Sequence, residues 1–225
     1  MDILCTNGVK SVMLELVPVF ERARSTKIAV TWGSTNALLK DIKGGVGGDV
    51  AVLTAEAVDE LIEQGKAIAG SRVDLARSRI GVAVRKGAKR PDIASPEALK
   101  RALIAASSIA HSKTGLSGLY FPTVLARLGI ADAIRSKIVT PDPGTPVGEV
   151  VAKGDAEIGI QQISELLPVP GIEIVGPLPE PLQKITTFSG GVLAAAKEPS
   201  LAEALLKFVA AESRRLLKQK GLEPA

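Results

Sequence analysis

Aromatic residues are scarce in this chain: four Phe, one Tyr and one Trp make up 3% of 225 residues. That scarcity argues against functions built on aromatic stacking, such as single-strand nucleic-acid platforms or cages for quaternary ammonium groups. A single Cys excludes an internal disulfide framework, and one Cys with one His excludes a zinc site of Cys/His type. A Ser-His-Asp triad would have to use His111, the only histidine. No apolar run reaches about 18 residues, so no membrane-spanning helix is expected. The opening MDILCTNG has neither a basic region nor a long apolar stretch and reads as a strand. A cytoplasmic protein is therefore expected as the chain stands, or a periplasmic one whose leader has been removed.

Sharper chemical motifs are missing too. There is no G-x-x-x-x-G-K-[ST], and GGVGG at 44–48 precedes a strand instead of joining a strand to a helix. No phosphate loop, dinucleotide fingerprint or G-x-S-x-G elbow is present, so no cofactor and no metal are expected. A net charge of +4 is spread over scattered Lys and Arg, densest at 85–90 (RKGAKR) and 214–220 (RRLLKQK). It forms no stripe of the kind that binds a duplex, and fits at most a preference for anionic ligands.

Short apolar runs alternating with amphipathic stretches mark an α/β protein. Strands are predicted at 2–5, 27–32, 49–53, 80–85, 108–110, 137–139, 156–160, 172–175 and 188–195. Helices are predicted from Val9 through Phe20, from Thr54 to Gln64, after Ser95-Pro96-Glu97, at 119–128, at 147–153 and at 200–219. Cys5 ends the first strand and reads as a small buried hydrophobe. Arg72, Arg77 and Arg79 fall near a crossover, where surface salt bridging is expected over a bidentate clamp on a carboxylate.

Small polar residues collect where strands end and helices begin. Thr6-Asn7-Gly8 follows the first strand and Gly33-Ser34-Thr35-Asn36 the second. HSKTGLSG, from His111 and Ser112 through Ser117 to Gly118, precedes the helix at Leu119. Pro143-Gly144-Thr145-Pro146 precedes the helix at Val147, and Gln161-Gln162-Ile163-Ser164 follows the strand at Ile160. Each turn alone is explained by Ser, Thr and Asn being good helix caps. Five of one kind point to a shared ligand site at the carboxyl edge of parallel strands. Free N–H groups, hydroxyls and helix dipoles there hold an anion without fixed charge.

Several segments carry a family resemblance over essentially the whole chain: LCTNGVKSVMLELVPVFERA, VTWGSTNALLKDIKGG, GGDVAVLTAEAVDELIEQGK, SGLYFPTVLARLGI, EVVAKGDAEIGIQQISEL and the closing helix with KGLEP. With these the sequence resembles the type II periplasmic substrate-binding proteins, nearest to the molybdate-binding component of ABC transporters. The resemblance implies a two-lobed α/β fold, each lobe a mostly parallel sheet flanked by helices, with the ligand cleft between the lobes. Lobe one is expected at 1–79 plus 184–225 and lobe two at 80–183, joined by two crossover strands. It also implies hinge-closing binding of a small anion and an ABC transporter permease as partner, with no nucleic acid and no membrane insertion.

By position, the family's oxyanion-binding places fall on Thr6 or Asn7, Ser34 or Thr35, Ser117, Gly144 or Thr145, and Gln162. Asn36, His111 and Ser112 join them from the same turns. Thr6-Asn7 stands where the family has a serine, and Gln162 where it has a tyrosine. A small di- or tricarboxylate is thus as well supported as molybdate or tungstate. Aconitate isomerase is similar to this same family, which leaves an isomerase or lyase of a small organic acid open. His111 would then be the base, or Glu149 or Glu165 if buried and raised in pKa. A ligand-sensing domain like the effector half of LysR-type regulators is a third possibility; no helix-turn-helix precedes Asp2.

Overall fold

The apolar run that opens the chain becomes β1 (Asp2–Thr6), buried from Ile3 onward. A 3-10 turn at Asn7–Val9 leads into α1 (Lys10–Arg24), which buries Val12, Met13, Leu16, Val17 and Phe20 along one stripe. β2 (Ala29–Gly33), α2 (Thr35–Lys43), β3 (Val50–Thr54), α3 (Ala55–Glu63) and β4 (Val73–Ser78) follow. The caps are as the sequence leads one to expect: Ser34 Oγ accepts from Ala37 N, and Thr54 Oγ1 accepts from Ala57 N, both at 3.3 Å. Next come β5 (Ile80–Arg85), α4 (Pro96–Ala105), β6 (Ile109–His111), α5 (Leu116–Leu128), α6 (Ala131–Ile134) and β7 (Ile138–Val139). They are followed by α7 (Val147–Lys153), β8 (Ile158–Gln162), α8 (Ile163–Leu166) and β9 (Ile172–Pro177). β10 (Thr186–Val192), α9 (Pro199–Ser213) and β11 (Leu222–Glu223) close the chain.

This computed structural model describes residues 1–142 and 144–225. The chain divides into two compact units, Met1–Ser78 with Thr186–Ala225, and Arg79–Ile185. The first holds a six-stranded sheet in the order β11-β4-β10-β3-β1-β2, the second a five-stranded sheet in the order β7-β6-β8-β5-β9. β1 pairs in parallel with β2 and β3, and β6 in parallel with β7 and β8. β10 runs antiparallel to both β3 and β4, and β5 antiparallel to both β8 and β9. These reversed strands are the first that the chain lays down on entering the second unit and on returning to the first.

Both sheets are covered by helices on both faces, as parallel pairing requires. In the first unit, α2 and α3 bury Leu38, Ile42, Val58 and Leu61 against Leu4, Ala51 and Leu53. α1 and α9 pack together, with Phe20 and Phe208 ring centroids 5.4 Å apart. In the second unit, α4 and α5 bury Leu99, Leu103, Phe121 and Val124 against Val82, Val84, Ile109 and Ile160. α7 packs Val147, Val150 and Val151 with Ala110 and Ala156 in a further cluster.

Several elements differ from the sequence-based expectation: β10, expected over 188–195, runs Thr186–Val192, and α6 and β11 were not expected. β4 was not expected as a strand; Asp74 and Arg77 face outward on it while Leu75, Ala76 and Ser78 are buried. α5 begins at Leu116, not Leu119, so Ser117 and Gly118 lie in its first turn. β8 extends through Gln162, because Gln161 and Gln162 stay in the ladder opposite Gly81 and Ile80. The last helix stops at Ser213 instead of Gln219. There Leu216 N donates to Ser213 O at 2.7 Å, and the chain turns so that Leu217 and Leu222 are buried and Leu222 pairs with Ser78.

One buried carboxylate ties three segments of the first unit. Asp49, 4% exposed, accepts from Asp2 N through Oδ2 and from Lys197 N through Oδ1, both at 2.7 Å. Burial alone would raise its pKa, but the two N–H donors and nearby positive charge bring it below the ordinary aspartate value. Its contribution to stability is thus complete above about pH 4 and is lost as pH falls through the folded-state value. Asp49→Asn, which leaves one of the two N–H groups facing an amide NH2, is expected to cost about 2 kcal/mol at neutral pH. Denaturant titration of both proteins at pH 7 and at pH 3 checks this: the gap should narrow in acid, and a constant gap would refute the charge-dependent role.

Candidate functional site

Parallel pairing brings the carboxyl ends of β1, β2 and β3 to one edge of the first sheet. Thr6 sits in register with Gly33, so the turns after β1 and β2 are neighbours. Thr6 and Thr35 are both buried, and Thr35 Oγ1 donates to Thr6 Oγ1 at 3.2 Å. Ser34 caps α2, and Asn36 lies exposed in that helix's first turn. Asn7 begins the 3-10 turn after β1 and is half-buried. Beside them Lys10, the first residue of α1, holds its Nζ 5.3 Å from the ring centre of Trp32, the only tryptophan.

The second sheet has an edge of the same kind, formed by the carboxyl ends of β6, β7 and β8. His111, half-buried, ends β6 in register with Ile160 of β8. Its ring lies 5.3 Å from that of Phe121, and Nδ1 is 3.0 Å from Ser112 O. A carbonyl can only accept, so the neutral ring carries its hydrogen on Nδ1 and leaves a lone pair on Nε2. Burial lowers the His111 pKa and outweighs the opposing effect of that hydrogen bond. Ser112 Oγ accepts from Gly115 N at 2.9 Å, which closes the turn ahead of α5. Ser117 is buried within α5.

Gly118 explains the tightness of this loop. A Cβ there would fall 1.7 Å from Ser112 O, the carbonyl that also holds His111. Gly144 and Thr145 are exposed ahead of α7, where Thr145 N donates to Asp142 O at 3.0 Å. Pro143, expected in this turn, lies outside the described residues. Gln162, 2% exposed, ends β8. Its neighbour Gln161, named from the sequence as part of that polar turn but assigned no role, accepts from Val147 N through Oε1 at 3.2 Å and donates from Nε2 to Glu165.

The two glutamates differ. Glu149 is exposed on α7 and faces Lys153 at 4.0 Å. Glu165 sits half-buried on α8, and burial pushes its carboxyl up to about 7 against the lowering effect of Gln161. Of the three arginines near the crossover, Arg72 and Arg79 are engaged in salt bridges. Arg72 binds Asp59 and Asp74, and Arg79 binds Glu180 at 2.5 Å. Cys5 is fully buried and its thiol is pushed upward in pKa, so it presents no thiolate. Among the described residues no cluster of three or more His, Cys, Asp or Glu could hold a metal ion. No described helix is long and apolar enough to cross a membrane.

Two mixed sheets flanked by helices, each with hydroxyl- and amide-bearing turns at its carboxyl edge, make an α/β protein of two units. The model of the bacterial extracellular solute-binding protein family matches residues 1–223, and the chain belongs to that family. It is 36% identical over its whole length to an aconitate isomerase from a Pseudomonas species, covering 87% of that protein. It is 28% identical over 88% of its length to the molybdate-binding protein ModA of Azotobacter vinelandii, covering 79% of it. The solved periplasmic molybdate-binding protein of Azotobacter vinelandii superposes with a TM-score of 0.81 at 18% identity, over 99% of this chain and 98% of that one.

The Gly118 contact yields a test. Alanine is the better helix former by about 1 kcal/mol, but a Cβ driven into backbone has nowhere to go. Gly118→Ala is expected to lower stability by about 2 kcal/mol or more and to release His111, raising its pKa toward 6.5. Thermal unfolding with 15N titration of the ring checks both; a stable variant with an unchanged ring would show that the loop yields freely.

Proposed function

We propose that the protein is a solute-binding protein for a small organic polyanion, a di- or tricarboxylate, with hydrogen-bonding groups for it at the carboxyl edge of each sheet. The residues assigned to this role are Thr6, Asn7, Ser34, Thr35 and Asn36 in the first unit. In the second they are His111, Ser112, Ser117, Gly144, Thr145 and Gln162. The observation that carries the reading is the chemistry of these edges: hydroxyls, carboxamides and the N–H groups of helix starts, with no fixed charge among the assigned side chains. Such groups suit an anion bound by hydrogen bonds and helix-end dipoles. Whole-length similarity to an aconitate isomerase supports a carboxylate over an oxyanion, and the family supports an ABC transporter permease as the recipient.

One observation favours a second reading, isomerisation of an unsaturated tricarboxylic acid. The Nε2 lone pair of His111 is fixed in place by Nδ1 bonding to Ser112 O. It could take a proton from a carbon activated by adjacent carboxylate and alkene groups and return it at the far allylic carbon. That moves the double bond with no change of oxidation state.

Calorimetry with cis- and trans-aconitate, tricarballylate, molybdate and sulfate, followed by NMR of each ligand, separates these readings. A carboxylate bound unchanged supports the solute-binding reading, and its conversion over minutes supports the second. Binding of molybdate alone would overturn the carboxylate assignment. Ser34→Ala combined with Thr35→Ala is expected to weaken binding about tenfold or more, on the scale of one or two hydrogen bonds to charge. Unchanged affinity would remove the first edge from the site.

A further inference from the structure

The second unit contains a hydrogen-bond chain that reaches the head of α7. Val147 N donates to Gln161 Oε1 at 3.2 Å, and Gln161 Nε2 donates to Glu165 Oε2. A carboxamide has one accepting and one donating end. With Oε1 held by a backbone N–H, Nε2 must point at Glu165, whose facing oxygen must accept. An ionised carboxylate grips that N–H more strongly than the neutral acid does, by roughly a factor of two in hydrogen-bond strength. The charge on Glu165 therefore sets how firmly Gln161, and through it Val147 and the Gly144–Thr145 segment just before it, is held.

Among the described residues no charged neighbour competes for this carboxyl. α8 packs on β5, β8, β9 and α7. The charged side chains on those elements are Arg85 on β5, Glu173 on β9, and Glu149 and Lys153 on α7; β8 carries none. Glu149 faces Lys153, Glu173 accepts from Gly87 N, and Arg79 just ahead of β5 is bound to Glu180. Burial and Gln161 alone act on Glu165.

We propose that Glu165 is a positioning residue that acts through Gln161 on the Gly144–Thr145 segment, and that an anionic solute binds with uptake of one proton at Glu165. The proposal rests on the carboxylate-binding reading for its second half only. An anion arriving at this edge adds negative charge near a half-buried carboxylate and favours its neutral form. Because the free carboxyl already titrates near neutrality, the proton is available there. The neutral form loosens its hold on Gln161, so the segment can adjust to the solute.

Two measurements decide the proposal separately. In the unliganded protein, the Thr145 and Val147 amide resonances are expected to titrate with the Glu165 side-chain carbon at one midpoint near pH 7, and to stop doing so in Glu165→Gln and in Gln161→Leu. Amides that ignore pH, or that titrate unchanged in Glu165→Gln, overturn the positioning role whatever the protein binds. Calorimetry with trans-aconitate and with molybdate from about pH 6.5 to 9 then reads the proton. Affinity of the wild type should weaken up to about tenfold per pH unit above 7, the slope of one linked proton, while Glu165→Gln stays flat near the low-pH affinity. Equal slopes in both proteins overturn the uptake. If neither probe binds at any pH, the solute reading and the uptake fall together, and the amide titration still decides the positioning role.

Discussion

The first unit depends on one strand that arrives late. β10 inserts between β3 and β4, antiparallel to both, and joins two parts of a sheet that would otherwise lack a ladder between them. It carries Gly190-Gly191, and the absence of side chains there is what the packing requires. A Cβ on Gly190 would meet Leu206 of α9 at 2.1 Å, and one on Gly191 would meet Val58 of α3 at 2.8 Å. Helices on opposite faces therefore rest on bare backbone. Beside the glycines, Ser189 donates to Asp74 of β4 at 2.7 Å, and Arg72 links Asp74 to Asp59 of α3. The reversed strand, its two flanking helices and the salt-bridged strand beside it form one cooperative block. The parallel trio β2-β1-β3, with its carboxyl edge, is built out from that block.

The carboxyl edge of the second unit has an electrostatic character that follows from burial. In the second unit, burial moves His111 and Glu165 in opposite senses, each away from its charged form. A histidine short of its proton and a carboxyl that keeps its own near neutrality leave an edge nearly free of fixed charge. Apart from Lys10 over Trp32 and Lys113 in the turn ahead of α5, many Lys and Arg lie in surface bridges such as Lys43–Glu60 and Lys207–Glu203, which contribute little to stability. A net charge of +4 thus favours anions at long range without placing a permanent cation among the assigned residues.

Much of this fold was legible in the sequence because most strands are short apolar runs and many helices carry recognisable caps. β3, β5 and α4 with Ser95-Pro96-Glu97 lie within a residue of where the pattern puts them. β4 was hidden because Asp74 and Arg77 face outward and mimic a polar loop. The true start of α5 was hidden because glycine and serine read as turn residues. What settles the matter is a contact between Gly118 and a carbonyl six residues earlier. Gln161 was named in its turn but given no role, for a related reason. A glutamine inside a buried strand is tolerated only when both ends of its amide are matched, and here the match lies fourteen residues upstream and four downstream. Position along the chain could nominate Glu165 but could not reveal its partner.

Binding and turnover make different demands on the same edge. A site of hydroxyls and backbone amides holds any small anion of suitable size, and is forgiving because N–H groups carry no side-chain identity. Proton transfer is not forgiving: it needs one lone pair at one place, with the tautomer fixed. In this chain that requirement passes through three consecutive dependencies. Gly118 leaves room for the Ser112 carbonyl, that carbonyl fixes the hydrogen on Nδ1 of His111, and the fixed hydrogen frees Nε2. None of these steps is needed to hold an anion by hydroxyls, since a rotated or alternate imidazole would still donate one hydrogen bond. A glycine in the first turn of a helix costs helix stability, and here it sustains a histidine orientation of the kind that proton transfer uses. The same geometry would serve a pure binding protein only if the solute itself needs an acceptor at Nε2, such as a hydroxyl or a protonated carboxyl. Either way, a group that meets Nε2 directly has to be a hydrogen-bond donor.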